Sequence, residues 1–199
     1  LPLEVFPMMG WLQRRYIPNA ITIVRLLLVL PIAFAIVSEL YLVALVLFTV
    51  SGASDGLDGF LARRYDWEST FGRLIDPLAD KLLMITTALT LGTMGHFPLM
   101  LMLLIIVKDV AIIGGVFSYT SLAGFPNIQP NRLGKVTTAC QIVLLVSVLL
   151  GLCFPALLSE IFYDVWFWLV ACLTLLDGVL YLWVWTGRLA RDPRWKESF

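Results

Sequence analysis

Charge is scarce in this chain of 199 residues: 14% are Asp, Glu, Lys or Arg, where a soluble domain carries about a quarter. What charge there is balances, with 14 basic and 14 acidic residues and a formal net charge of zero. No bulk field therefore points to nucleic acid as a partner. There is one histidine and there are three cysteines, and Cys140, Cys153 and Cys172 lie in apolar segments without metal-ligand spacing. That excludes a zinc site and a disulfide framework, and predicts small core side chains instead. Repeats, linkers and low-complexity tracts are missing, which predicts a single domain over 1–199. The first residues, "LPLEVFPMMGW", lack a basic leader and a small-residue cleavage site, so no secretory signal is expected there.

What the chain has instead is oil. Hydrophobic residues make up 60% of it, gathered into long continuous runs, and this is the pattern of membrane-spanning segments. The runs predict six transmembrane helices at about 18–38, 40–64, 70–93, 97–119, 132–155 and 164–188, each near the ~20 residues needed to cross. The fold class expected is an all-α integral membrane protein: a juxtamembrane interfacial helix over about 1–17, a six-helix bundle over 18–188 and a surface tail over 189–199. Arg14, Arg15, Arg63, Arg64, Arg132, Lys135, Arg188, Arg191, Arg194 and Lys196 fall on one side of such a bundle. The loops of the other side, around Glu39, His96 and Glu160 to Asp164, contain no Lys or Arg. The positive-inside rule then places both termini in the cytoplasm.

Against that background the intramembrane charges stand out. Arg25, Arg73, Lys81 and Lys108 lie within the predicted spans, as do Asp55, Asp58, Asp76, Asp80, Asp109 and Asp177. Placing an Asp at a helix centre costs roughly 2.5–3.5 kcal/mol, so four unpaired ones would cost on the order of 10 kcal/mol. That is comparable with the whole stability of a domain. Asp55 and Asp58 are three apart and Asp76 and Asp80 four apart, so each pair shares a helical face. Folding the second and third helices into a hairpin about "RRYDWEST" brings all four to one level in the cytoplasmic half. Clustered hard oxygen ligands suit Mg²⁺, Mn²⁺ or Ca²⁺. With Arg63, Arg64 and Arg73 beside them, they suggest a phosphate-bearing substrate. Gly56, Gly59, Ala62 and Gly72 remove bulk where a ligand or a neighbouring helix approaches. A cation transporter lined by carboxylates is the reading from a different class, disfavoured because the acids cluster at one depth.

"DGLDGFLAR", eight residues, then "GRLIDPLAD" resembles the signature of the CDP-alcohol phosphotransferase family, D-x-x-D-G-x-x-A-R followed by G-x-x-x-D-x-x-x-D, with every fixed position filled. "PNAITIVRLLLVLP" and "LGKVTTACQ" extend the resemblance over most of the chain. It implies a six-helix membrane enzyme, commonly a homodimer, that transfers a phosphatidyl group from CDP-diacylglycerol to an alcohol and releases CMP. It implies Asp55, Asp58 and Asp76 as ligands of Mg²⁺ or Mn²⁺, two ions in all, and Asp80 as general base with a share in the metal. Gly59, Ala62, Arg63 and Gly72 would line the CDP-lipid site, with Asn19 and Thr22 near the pyrophosphate. Arg25, Lys108, Arg132 and Lys135 are the candidates for binding the acceptor. "IIVKDVAIIGGV" and "PNIQPNRLGKVTTACQ" look more like the CMP-forming cardiolipin synthases, with phosphatidylglycerol as acceptor, than like phosphatidylglycerophosphate synthases, which use glycerol 3-phosphate. Neither branch's pattern is met in full. The site implied is on the cytoplasmic side of a bacterial inner membrane.

Overall fold

The computed structural model describes residues 17–65, 70–123 and 132–189, and for 17–20, 55–65, 70–77, 116–123 and 185–189 the backbone alone. Six helices and no strand occur among the described residues: α1 (Ile17–Val37), α2 (Tyr41–Tyr65), α3 (Thr70–Thr93), α4 (Leu99–Ala123), α5 (Arg132–Cys153) and α6 (Glu160–Leu189). The expected juxtamembrane helix and the surface tail lie outside the described residues. At 1.5 Å per residue the helices are about 32 to 45 Å long, enough to cover a hydrocarbon layer of about 30 Å. By length and composition α5 and the Glu160–Val184 part of α6 are apolar enough to cross a membrane. The chain divides into two compact units, Leu1–Thr90 and Leu91–Phe199.

In the first unit α1 packs along α2. Three residues join them, so the helices run antiparallel. The backbone N–H of Leu40 donates to Ala35 O at 2.8 Å and that of Glu39 to Ile36 O at 3.0 Å. This pairing closes a helix on one left-handed residue, here Glu39 at φ 59°. The same closure ends α3 in the second unit: His96 N–H donates to Leu91 O at 2.9 Å and Gly95 N–H to Gly92 O at 3.1 Å. Gly95 supplies the left-handed residue at φ 80°, at no steric cost.

In the second unit α6 packs against both α4 and α5. It begins four residues before the expected 164. Ser159 caps it, its Oγ accepting from the backbone N–H of Phe162 at 3.3 Å, and Glu160 lies in the first turn, where the helix dipole favours an acid. Two tyrosines of α6 stand over glycines of its neighbours. Tyr163 donates to Ser147 O of α5 at 3.0 Å, and a Cβ on Gly151 would overlap its hydroxyl. Tyr181 donates to Ile112 O of α4 at 3.0 Å, and a Cβ on Gly115 would overlap its hydroxyl in turn.

Among the described residues the core is mostly apolar, but it also encloses polar and charged groups, and many large apolar side chains face outward. Arg25, Lys108, Asp109, Gln141, Thr174 and Asp177 are buried, while Leu30, Phe34, Ile161, Trp168 and Trp183 are among the large apolar side chains left exposed. Hydroxyls bond within their own helices: Ser54 to Val50 O, Thr87 to Leu83 O, Thr90 to Thr86 O and Ser147 to Val143 O, at 2.7–2.8 Å. A helix that must satisfy its polar groups without water does this. The three cysteines are free. None is a core side chain as expected: Cys140 and Cys153 are half-buried and Cys172 is exposed.

Candidate functional site

Asp55 and Asp58 lie within α2, and Asp76 and Asp80 within α3. Their spacing keeps each pair on one face of its helix. The side chains of Asp55, Asp58 and Asp76 lie outside the described residues, as do those of Asn19, Ala62 and Arg63, and Gly59 and Gly72 fall in the same backbone-only stretches. Among the described residues no group of three or more His, Cys, Asp or Glu gathers at metal-holding distance.

Asp80 is described, and it is engaged. Nη1 of Arg25 donates to its Oδ1 at 2.8 Å, linking α1 to α3 within the first unit. The two ends differ in burial: the Arg25 side chain is 1% exposed and that of Asp80 37%. The Asp80 side chain is thus partly exposed while held. Thr22, one turn before Arg25 on the same face of α1, is buried with it. The donor set fits a hard divalent cation in its chemistry, since it offers carboxylate oxygens in two helix-borne pairs.

Lys108 lies elsewhere, in the second unit, and its charge is shared. Its Nζ is 3.2 Å from Asp109 Oδ1 on its own helix and 3.5 Å from Asp177 Oδ2 on α6. All three side chains are buried. Two glycines make the room: the Asp177 carboxylate rests 3.2 Å from where a Cβ on Gly134 would stand, and the Lys108 stem passes 3.6 Å from the corresponding point on Gly178. Gly134 lies in the first turn of α5, where the exposed N–H ends of a helix favour a negative charge. Asp177, which the sequence leaves without a partner, thus has one. Further along this seam Gln141 Nε2 donates to Thr174 Oγ1 at 2.9 Å and Thr137 Oγ1 to Leu173 O at 3.4 Å. Thr137 and Gln141 on α5, and Thr174 and Asp177 on α6, recur at three- and four-residue spacing. That spacing was the available signal for a polar helix–helix seam. Arg132 and Lys135, also in the first turn of α5, are exposed.

A cavity of about 450 Å³ lies at the other end of the second unit, lined among others by His96, Gly151, Glu160, Tyr163, Asp164 and Phe167. None of the sequence-predicted site residues lines it.

The chain belongs to the CDP-alcohol phosphatidyltransferase family, whose sequence model matches residues 15–185. It is 33% identical over 182 residues to the rice (Oryza sativa) chloroplastic CDP-diacylglycerol–glycerol-3-phosphate 3-phosphatidyltransferase 1, covering 83% of this chain and 55% of the rice protein. It is 29% identical to the Bacillus subtilis CDP-diacylglycerol–glycerol-3-phosphate 3-phosphatidyltransferase, covering 83% of this chain and 92% of that protein. It is 32% identical over 147 residues to the human CMP-forming cardiolipin synthase, covering 66% of this chain and 49% of the human protein. The chain therefore spans about half the length of the rice and human relatives and nearly all of the Bacillus one.

Proposed function

We propose that this protein transfers a phosphatidyl group from CDP-diacylglycerol to an alcohol acceptor, releasing CMP, at the cytoplasmic face of a bacterial inner membrane. The observation that carries the reading is the complete two-block acidic signature placed on α2 and α3, inside a family match that runs through both compact units. That one match supports a single catalytic domain. Exposed apolar side chains, buried polar ones and hydroxyls bonded within their own helices support a chain embedded in lipid. The charge asymmetry of the loops supports six spans with both termini cytoplasmic, and the resemblance implies a homodimer.

Only four residues separate Tyr65 from Thr70, so the facing ends of α2 and α3 are at most about 18 Å apart. Asp58 and Asp76 stand six or seven residues into their helices, about 10 Å from those ends at 1.5 Å per residue. Asp55, Asp58 and Asp76, with Asp80, would hold Mg²⁺ or Mn²⁺, two ions in all. Bound there, divalent cations polarise the phosphoryl group and offset the charge that develops on it. Asp80 takes the proton of the acceptor hydroxyl as that oxygen bonds to the lipid-side phosphorus and the pyrophosphate bridge breaks. Gly59, Ala62, Arg63 and Gly72 bound the CMP moiety, with Asn19 and Thr22 near the pyrophosphate.

For the acceptor we favour phosphatidylglycerol, giving cardiolipin. Lys108 already shares its charge with Asp109 and Asp177, which leaves it poorly suited to the doubly charged phosphate of glycerol 3-phosphate. Arg132 and Lys135, both exposed, suffice for a singly charged phosphodiester. The second reading, phosphatidylglycerophosphate synthesis, is favoured by the match to nearly the whole length of the Bacillus subtilis relative.

Purified protein in vesicles, given CDP-diacylglycerol and one acceptor at a time, separates these readings. CMP release that requires a divalent metal, with cardiolipin as the product by mass, is the expected result. Phosphatidylglycerophosphate formed from glycerol 3-phosphate would transfer the assignment to the second reading. Metal flux without CMP release would replace the enzyme by a transporter.

A further inference from the structure

The sequence groups Arg25 with the residues that bind the acceptor, but in the structure its guanidinium reaches Asp80 at 2.8 Å. We propose that Arg25 is a positioning residue: by holding Oδ1 of Asp80 it fixes the aim of the carboxylate at the acceptor hydroxyl. The proposal rests on the reading of Asp80 as the group that takes the acceptor's proton.

Three observations support it. The bond is charge-assisted and short, the kind that fixes geometry. Its ends are unequal: the Arg25 side chain is 1% exposed and the Asp80 side chain 37%. A guanidinium enclosed to that degree cannot swing out to a headgroup without releasing Asp80, whose side chain is partly exposed. The terminal torsion of an aspartate is broad and roughly two-fold, so each bond to one of its oxygens narrows the arc they sweep. The charge-assisted bond to Oδ1 restricts that motion. The tether is anchored on a firm support, since α1 packs along α2 and Thr22 is buried one turn before Arg25.

A phosphate ligand and a positioning residue leave different marks on kinetics. Removing a ligand of the acceptor raises KM for the acceptor, whereas loosening the base lowers kcat with KM kept. The experiment compares Arg25→Gln, Arg25→Lys and Asp80→Asn in vesicles, with kcat and both KM values measured at equal amounts of folded protein judged by thermal unfolding. Arg25→Gln is expected to lower kcat on the order of 100-fold, the scale of a misplacement of about 1 Å, with both KM values within about threefold of wild type. Arg25→Lys keeps the charge but not the planar fork. It is expected about tenfold below wild type and above Arg25→Gln, and it decides alone if the glutamine variant does not fold.

Wild-type kcat in these variants, or a raised acceptor KM with kcat retained, overturns the proposal while the role of Asp80 stands. A kcat loss that only follows loss of folded protein overturns it equally, in favour of a plain clamp between α1 and α3. Turnover surviving in Asp80→Asn removes the reading of Asp80 and the proposal together.

Discussion

Lys108, Asp109 and Asp177 form a buried ionic group joining α4 to α6, with the first turn of α5 against the Asp177 carboxylate. Breaking a buried pair leaves charge behind with nothing to offset it, at a cost of about 3–5 kcal/mol. Lys108→Met is therefore expected to destabilise by about that amount in a detergent unfolding experiment. Adding Asp177→Leu should recover part of the loss, as a coupling of roughly 0.5–3 kcal/mol in the double-mutant cycle. Losses that add independently would mean that the lysine and the α6 aspartate do not sense one another. At this scale the sequence was legible where spacing is local. The two acidic pairs read as helical faces because three and four residues are one turn. The partners of Asp80 and Asp177 were not legible, being 55 and 69 residues away, and no periodicity links residues at that separation.

Helices were the most legible part, since each apolar run is long enough to be nothing else. Their ends were less so. α4 runs on to Ala123 and α6 starts at Glu160, where expectation had 119 and 164, because hydropathy falls before helical hydrogen bonding does and a cap such as Ser159 overrides it. Glycines test the local geometry. Gly95→Ala should cost about 1–2 kcal/mol, the penalty of a side chain in the left-handed region, since a Cβ there meets nothing within 4 Å. Gly151→Ala should cost roughly 1–3 kcal/mol, because its Cβ must displace the Tyr163 hydroxyl from Ser147 O. Gly114→Ala, in open space on α4, should instead stabilise by roughly 0.5–1 kcal/mol. Thermal unfolding of the three variants checks the order, and equal shifts would contradict it.

For the whole molecule, the one-sided placement of basic residues in the loops predicts an orientation that can be read chemically. In a background with Cys140, Cys153 and Cys172 replaced by alanine, Glu39→Cys should react with a membrane-impermeant maleimide in intact cells. Arg132→Cys should react only after permeabilisation. The reverse pattern would invert the protein in its membrane. Loop charge is what the sequence offers for that orientation, whereas the seam of Thr137, Gln141, Thr174 and Asp177 shows only in its spacing, because a few polar residues scarcely dent the hydropathy of a long span. The two tyrosines of α6 add a mechanical consequence. They stand 18 residues apart, five full turns, and so emerge on the same side of the helix. One is latched to α5 and the other to α4. A rod pinned at two distant points to different supports cannot unscrew or slide without breaking both. Breathing of this half of the protein must therefore come from flexing of the supports, with α6 carried along as a stiff splint.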